Sequence, residues 1–183
     1  MLKKTSAVLA LSLLSGFTSA LEIEVGATLP AVKVTDGGEM VVVKDSVEYQ
    51  SWSSDTGAGK VRLINAIAGR GEASEMTTPV MSSLTDAGLP AEQFQTVTLI
   101  NKDDAMFGTG GFVQSASEEN KLKSPEATII LDEEGTVHEA WDLQSKSGAI
   151  IVVGKDNKVL YVKEGAMSEA DAKEVMTTIK ANI

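Results

Sequence analysis

The 183-residue sequence has no cysteine and only one histidine, and these two scarcities exclude several kinds of chemistry. Without cysteine the chain cannot form a disulfide, carry out thiol redox reactions or carry a lipid anchor on a thiol. A metal site would have to be built almost entirely from carboxylates, and the acidic residues do not follow the spacing of a calcium loop. The sequence therefore predicts no redox centre, no metal and no bound cofactor.

Basic residues are also scarce, because 16 lysines and arginines face 26 acidic residues and give a net charge of -10. A negative field repels phosphate backbones and anionic lipid headgroups unless a local basic patch offsets it, and the sequence shows no such patch. It also has no helix-turn-helix pattern with a basic recognition helix. Nucleic-acid binding and membrane-surface binding are therefore not expected.

The longest apolar run lies near the amino terminus and has the features of an export signal. Lys3 and Lys4 precede apolar residues 7–17, and a small-residue cleavage site ends at Ala20. The run is too short for a membrane-spanning helix, which needs roughly 20 residues. We therefore predict a signal peptide at residues 1–20 that is cleaved after Ala20, no stable membrane insertion, and a periplasmic domain formed by residues 21–183.

Strand and helix patterns alternate along this domain. The predicted strands are a ribbon of residues 32–34 and 40–43 around a hairpin turn at Asp36-Gly37-Gly38, three strands at 61–67, 96–100 and 127–131, and a closing hairpin of 149–153 and 158–162. The predicted helices are one capped by Ser74 and ending at Gly88, one at 112–121, a short one at 137–141, and a final helix capped by Ser168 and Asp171. This order predicts an α/β sandwich with a mixed sheet.

Particular residues then resemble the thioredoxin-like fold, in its peroxiredoxin and thiol-disulfide oxidoreductase branch. Residues 25–30 resemble the entry of that branch, and residues 59–65 resemble the strand that leads to its active site. In that register Gly71-Glu72-Ala73-Ser74 occupies the Cys-X-X-Cys positions. Ser147 and Gly148 stand near the place of the family's cis-proline. The resemblance implies a three-layer thioredoxin-like sandwich with an N-terminal β-ribbon, in which the fold is kept and the thiol chemistry is lost.

A narrower resemblance covers nearly the whole of residues 21–183. The segments 67–70, 103–105, 108–113 and 163–166 resemble, in this order, the YtfJ family of exported bacterial proteins. That resemblance implies a periplasmic thioredoxin-like protein without an established activity.

A candidate binding crevice follows the first buried strand, at residues 68–74, because open α/β sheets bind ligands where a strand feeds a helix. Arg70 could hold a carboxylate through two hydrogen bonds, and backbone N–H groups near Ser74 could complete an anion pocket. Alternatively, Arg70 pairs with Glu72 or Glu75 on the surface, and Gly71 only permits a tight turn.

Other candidates for this crevice come from neighbouring loops. Asp103 and Asp104 follow the next strand and could bind a cation or transfer protons, or they form a turn. Gly108 and Gly110 could approach an anion or belong to a mobile loop. Glu72 and Ser147 complete the set.

Two further readings concern polar and aromatic side chains outside this set. Ser74 is expected to cap a helix rather than act as a nucleophile, since the single histidine, His138, lies in a different crossover. Trp52, Trp141 and Tyr49 are expected in the core, with a partner interface as the alternative.

Three functions remain open from the sequence. The first is a non-catalytic module that binds an envelope protein or peptide, favoured by the loss of both cysteines. The second is a cysteine-independent enzyme or small-ligand binder that uses the crevice of residues 68–74. The third is a structural envelope protein without a discrete site. The sequence leaves the oligomeric state undetermined.

Overall fold

The computed structural model describes residues 23–85 and 87–183 of the chain. The predicted signal peptide and its cleavage after Ala20 lie outside the described residues. Within the two described ranges, no helix combines the length and the hydropathy that crossing a bilayer requires.

In the described part of the chain, seven strands form one mixed sheet with four helices. In chain order the elements are β1 (Lys33–Val43), β2 (Ser46–Ser53), β3 (Val61–Ala68), α1 (Gly71–Thr85), β4 (Phe94–Asn101), α2 (Gly110–Lys123), β5 (Thr128–Asp132), α3 (Thr136–Ala140), β6 (Gly148–Val153), β7 (Val159–Glu164) and α4 (Glu169–Asn182). The strand order across the sheet is β2-β1-β5-β4-β3-β6-β7. The predicted α/β sandwich with a mixed sheet is confirmed.

The crossovers determine which face of the sheet carries the helices. Strands β3, β4 and β5 are parallel and advance in one direction across the sheet. Because such crossovers are almost always right-handed, α1 and α2 lie on the same face. Helix α4 joins them there, packing on α1, and we call this the helical face. The opposite face carries α3 and the segment before β1.

Both faces bury apolar side chains contributed by alternate residues of the strands. Leu63, Ile150 and Val175 belong to the core under α1 and α4. Ile64 and Ile151 belong to the core under α3, which also contains both tryptophans. Every residue of β3 except Ile67 is buried, as the apolar run of this strand predicts for a position in the middle of a sheet.

The predicted hairpin turn at Asp36-Gly37-Gly38 is wrong. These residues lie inside β1, at a register irregularity where β1 pairs with β2 on one side and with β5 on the other. Gly37 and Gly38 have φ values of +85° and +94°, and a Cβ at either position would overlap a backbone carbonyl of a neighbouring strand. The glycines therefore permit close strand packing, and the hairpin turns at Lys44 and Asp45, which both have positive φ.

The first helix also begins earlier than predicted. Helix α1 starts at Gly71, so Ser74 lies in its first turn and does not cap it. The prediction for the last helix is confirmed, because the Ser168 side chain accepts a hydrogen bond from the Asp171 amide and Asp171 returns one to the Ser168 amide.

Candidate functional site

The helical face has a gap over its central strand. Helix α1 packs on β3 and β6, whereas α2 packs on β5, β1 and β2, so neither helix packs extensively on β4. Thr96, Thr98 and Ile100 alternate along the side of β4 that faces the helices, and all three are only partly buried. An opening therefore remains between α1 and α2, with β4 beneath it.

The carboxyl end of this opening is an apolar groove of about 360 Å³, which we call the β4 groove. Ile67 and Ile100, paired across β3 and β4, form its floor. Its remaining lining residues come from the start of α1, the loop before α2 and one face of α2: Ala68, Gly69, Arg70, Gly71, Met106, Thr109, Phe112, Val113, Ala116, Ser117 and Asn120. The volume falls within the range of ligand pockets.

Large apolar side chains are unusually exposed beside the groove. Met106 is 54% exposed, Phe112 is 77% exposed and Phe107 is fully exposed. Elsewhere in the described residues, the large apolar side chains exposed to a similar degree are Val25 and Leu122. Isolated exposed hydrophobic residues are ordinary on protein surfaces, but three within seven positions, beside an apolar concavity, are typical of a binding surface.

Arg70 does not face the groove as a free cation. Its Nε donates to the backbone oxygen of Asp104 at 2.7 Å, and its Nη2 donates to Asp104 Oδ1 at 2.9 Å. The partner is thus Asp104, rather than the Glu72 or Glu75 considered from the sequence. Both side chains are mostly buried, which favours a held geometry over a transient surface pair.

Asp104 also connects two further parts of the chain. Its Oδ2 accepts a hydrogen bond from the Lys146 amide, and its own amide donates to Asn101 Oδ1 at 3.3 Å. The Arg70–Asp104 pair therefore joins the start of α1, the loop after β4 and the segment before β6. In this arrangement the pair supports the wall of the groove, and its charges largely satisfy each other.

Ser147 and Gly148 lie beside α1. The Ser147 carbonyl accepts from the Ala68 amide at 3.0 Å. A Cβ on Gly148 would lie 2.6 Å from the Ala73 carbonyl oxygen and 2.8 Å from Thr77 Cγ2, so only glycine fits against the helix there. Ser147 also lines a very small cavity on the other side of the sheet, away from the β4 groove.

That small cavity is lined in part by the single histidine of the chain. It has a volume of about 10 Å³, and its lining includes His138 and Glu164. The pKa of Glu164 is raised above its ordinary value, because the effect of burial exceeds the lowering by the hydrogen bond from the Gln144 amide and by the nearby His138. The space is about that of one water molecule, which is too small for a substrate.

The remaining candidates divide between two surfaces. Asp103, Gly108 and Gly110 line a second, more polar depression of about 430 Å³, whose lining also includes Met106 and Phe107. Glu72 and Ser74 are exposed on the first turn of α1. Ser74 is on the helical face and His138 is on the opposite face, so the sheet separates this serine from the histidine that could activate it.

Helix α2, the outer wall of the groove, is fixed to the sheet by a polar network. Tyr49 on β2 donates to Glu118 at 2.7 Å, Gln114 donates to the same carboxylate, and Lys102 donates to Gln114. Burial and the adjacent Glu118 raise the pKa of the Tyr49 hydroxyl, whereas hydrogen bonds from Tyr49 and Gln114 lower that of Glu118. These bonds place α2 beside β1 and β2, away from α1.

The aromatic side chains considered from the sequence lie in the core or pack against it. Trp52 and Trp141 are almost completely buried, and Trp141 Nε1 donates to the Pro30 carbonyl at 3.0 Å. Tyr49 packs beside the core formed by Met40, Ile129 and Leu131. The core interpretation is confirmed for Trp52 and Trp141, whereas Tyr49 is only partly buried.

The apolar part of the groove was not predicted from the sequence. The candidate residues were polar or glycine, whereas the groove is also lined by Met106, Phe112 and Val113. A signal was present, since the α2 lining positions Phe112, Ala116 and Asn120 recur every four residues, with Val113 three residues before Ala116. A helical stripe of that kind, however, is normally read as a buried face.

Comparison with known proteins gives the family. Residues 23–182 match a family model described as a bacterial protein of unknown function (YtfJ_HI0045). The chain is 38% identical to the uncharacterized protein YtfJ of Escherichia coli strain K12 over 168 residues, covering 92% of this chain and 91% of that protein. An uncharacterized protein of Haemophilus influenzae is 37% identical over 165 residues and 90% of each chain.

Solved structures of low sequence identity share this fold. The crystal structure of a putative thiol:disulfide interchange protein DsbE from Chlorobium tepidum is similar with a TM-score of 0.59 and 15% identity, covering 87% of this chain and 98% of that one. At this identity the similarity shows the fold alone. The chain therefore belongs to the YtfJ family and has a thioredoxin-like fold without cysteine.

Proposed function

We propose that the protein is a non-catalytic thioredoxin-like module that binds a polypeptide segment of a partner in the β4 groove, outside the cytoplasm. The observation that carries the proposal is the apolar groove over β4 with exposed Met106, Phe107 and Phe112 beside it. The predicted signal peptide supports the location, and an envelope protein or peptide is the partner class it implies.

The residues around the groove favour binding over catalysis. Arg70 and Asp104 bond to each other, and Ser74 and His138 are on opposite faces of the sheet. Exchange between a thiol and a disulfide needs a cysteine, which the chain lacks. What remains at the groove is apolar surface, whose burial by a partner is favourable at about 25 cal/mol per Å².

Site-specific photo-cross-linking in living cells tests this proposal. A photoreactive amino acid replaces Met106, Phe107 or Phe112 in turn, and the adducts are identified by mass spectrometry. Leu122 is the matched control, because it is an exposed apolar residue of the same helix that does not line the groove. We expect one recurrent protein adduct from the groove positions and none from Leu122.

Two outcomes would contradict the proposal. If Leu122 gives the same adducts as Phe112, the contacts are not specific to the groove. If all groove positions give background only, while small molecules raise the melting temperature of the purified protein, the groove is a small-ligand site instead.

A further inference from the structure

Resting on the proposed function, we infer that the segment bound in the β4 groove inserts a tyrosine, whose hydroxyl hydrogen-bonds to the buried side-chain amide of Asn65. The groove supplies apolar surface for the aromatic ring, and Asn65 supplies the hydrogen-bonding group at its inner end. Asn65 is thereby the residue that selects tyrosine over phenylalanine.

The side chain of Asn65 is buried without a hydrogen-bond partner. It is 5% exposed, and its Oδ1 is one of three buried side-chain atoms in the described residues that lack a partner, with Trp52 Nε1 and Arg62 Nε. Asn65 Oδ1 is the one acceptor among the three. An unpaired buried polar group costs free energy, and nearly all such groups in native proteins find a partner. A donor supplied by a bound segment would remove this cost.

Asn65 continues the floor of the β4 groove inward. Because side chains two residues apart on a strand point to the same face, Asn65 is on the face of the sheet that carries the floor residue Ile67. Across the strands Asn65 is paired with Thr98, which precedes the other floor residue, Ile100, by two positions. The Asn65–Thr98 pair therefore lies roughly 6.6 Å along the sheet from the Ile67–Ile100 pair, twice the rise per residue.

The opening between α1 and α2 extends to this polar pair. Thr98 is only partly buried, although β4 is the middle strand of the sheet. Helix α2 leads from the carboxyl end of β4 to the amino end of β5, so its later lining residues, Ser117 and Asn120, lie toward the inner end of the groove. The groove is thus apolar at the carboxyl end of β4 and becomes polar further in.

A tyrosine side chain matches this sequence of surfaces. Its ring is apolar and its hydroxyl is at the far end of the ring, so the hydroxyl would arrive at the polar end of the groove. A hydroxyl can donate to Asn65 Oδ1 and accept from the amide nitrogen of the same side chain. Tryptophan carries its N–H on the side of its ring system, and phenylalanine has no polar atom. Buried tyrosines usually bond their hydroxyl, which the Asn65 amide makes possible here.

The inserted tyrosine must come from another protein. The chain has two tyrosines, and both take part in its own packing. Tyr49 donates to Glu118 at 2.7 Å, and Tyr161 is 8% exposed, so a second copy could insert neither without losing these contacts. A free phenol would leave Phe107 uncovered, because Phe107 is fully exposed and does not line the groove. The residues beside a tyrosine in a polypeptide segment can contact it.

Fluorescence anisotropy with three synthetic peptides tests the inference on the purified protein. The probe is a labelled nine-residue peptide of glycine and serine with leucine-tyrosine-leucine at its centre. The second peptide has phenylalanine in place of the tyrosine, and the third has serine there. We expect the tyrosine peptide to bind at least about tenfold more tightly than the phenylalanine peptide, because phenylalanine leaves Asn65 unpaired. The serine peptide should bind more weakly than either, since it buries no ring.

Two variants separate the hydrogen bond from the apolar contact. Asn65→Leu should weaken binding of the tyrosine peptide about tenfold and change binding of the phenylalanine peptide less than about twofold. Because it removes an unpaired buried amide, it should keep or raise the melting temperature of the free protein, whereas the loss of a structural hydrogen bond would lower it. Phe112→Ser, in the wall of the groove, should weaken both peptides by the same factor.

Two outcomes would overturn the inference. One is equal affinity of the wild-type protein for the tyrosine and phenylalanine peptides, including no binding of either. The other is a preference for tyrosine that Asn65→Leu leaves unchanged. Failure of the tyrosine selection is distinguishable from failure of the proposed function. In the first case, groove-specific adducts would still form in cells at Phe112; in the second case, they would be absent.

Discussion

An arginine lies at each end of strand β3, and the two arginines differ in burial and in the groups to which they bond. Arg62, at the amino-terminal end, is completely buried and bonds to the Ser54 and Thr56 carbonyls and to Asn157 Oδ1. Arg70 follows the carboxyl end and is partly exposed in an ion pair with Asp104. We call these the closed end and the open end of the molecule.

The difference sets an end whose buried contacts stabilise the fold against an end where an apolar groove stays uncovered. At the closed end, Arg62 joins the β2–β3 loop to the β6–β7 turn. Within the described residues it has no carboxylate partner in a salt bridge. Its burial lowers the pKa of Arg62, although arginine remains charged. At the open end the ion pair fixes the wall of a groove whose apolar surface remains uncovered. Substitutions at the two ends should therefore separate these roles.

The largest expected effect is at the closed end. Arg62→Met should lower the free energy of unfolding by about 3 kcal/mol, because it leaves two backbone carbonyls and the Asn157 side chain without their buried donor. Urea unfolding followed by circular dichroism measures this change, with Lys60→Met as a control at the neighbouring position. A loss below 0.5 kcal/mol would contradict the structural role given to Arg62.

The next largest effect on stability is expected at Asp171, in the first turn of α4. Hydrogen bonds from Lys163 and Ser168 hold the pKa of Asp171 well below its ordinary value of 3.8. A carboxylate with a lowered folded-state pKa adds stability above its unfolded pKa and loses that contribution as the pH falls through and below it. Asp171→Asn should therefore cost about 1 to 2 kcal/mol near neutral pH and progressively less below about pH 4.

Urea unfolding of the wild type and Asp171→Asn between pH 3 and pH 7 measures this dependence. The two stability curves should converge as the pH falls. A constant difference between them across this range would show that the charge of Asp171 does not stabilise the helix start.

A smaller effect is expected from the ion pair beside the groove. Arg70→Met should lower the free energy of unfolding by about 1 kcal/mol, because the Arg70 side chain is still 20% exposed and Asp104 keeps its hydrogen bond from the Lys146 amide. It should also speed hydrogen exchange at the Lys146 amide, because Asp104, which accepts from that amide, loses its main partner. Exchange measured by NMR tests this, and unchanged protection at Lys146 would mean that Arg70 does not position the loop.

The smallest effect on stability is expected at the exposed aromatic residue. Phe107→Ser should change the free energy of unfolding by less than about 0.5 kcal/mol, because the side chain is fully exposed and no packing is lost. The same variant should lose adducts in the cross-linking experiment when the probe is placed at Phe112. A loss of stability above 1 kcal/mol would instead make Phe107 part of the core.

Much of the fold could be predicted from local patterns. The apolar run of β3 and the Ser168–Asp171 capping box identified their elements directly. The location of Asp36-Gly37-Gly38 inside β1 could not be predicted, since glycine pairs serve equally in a hairpin turn or where neighbouring strands approach closely. Similarly, Ser74 has the residue type of a cap, but the helix begins three residues earlier because strand β3 ends at Ala68.

By itself, the sequence determined the absence of thiol chemistry, the negative charge, the order of strands and helices, and the family. Those properties depend on residue types and on short-range periodicity. Only the tertiary structure decided that Arg70 bonds to Asp104 and that Ser74 and His138 are on opposite faces of the sheet. It also decided that the gap between α1 and α2 exposes Ile100 beside Phe112. These contacts join residues far apart in the chain, and their geometry depends on how the crossovers place helices over the sheet.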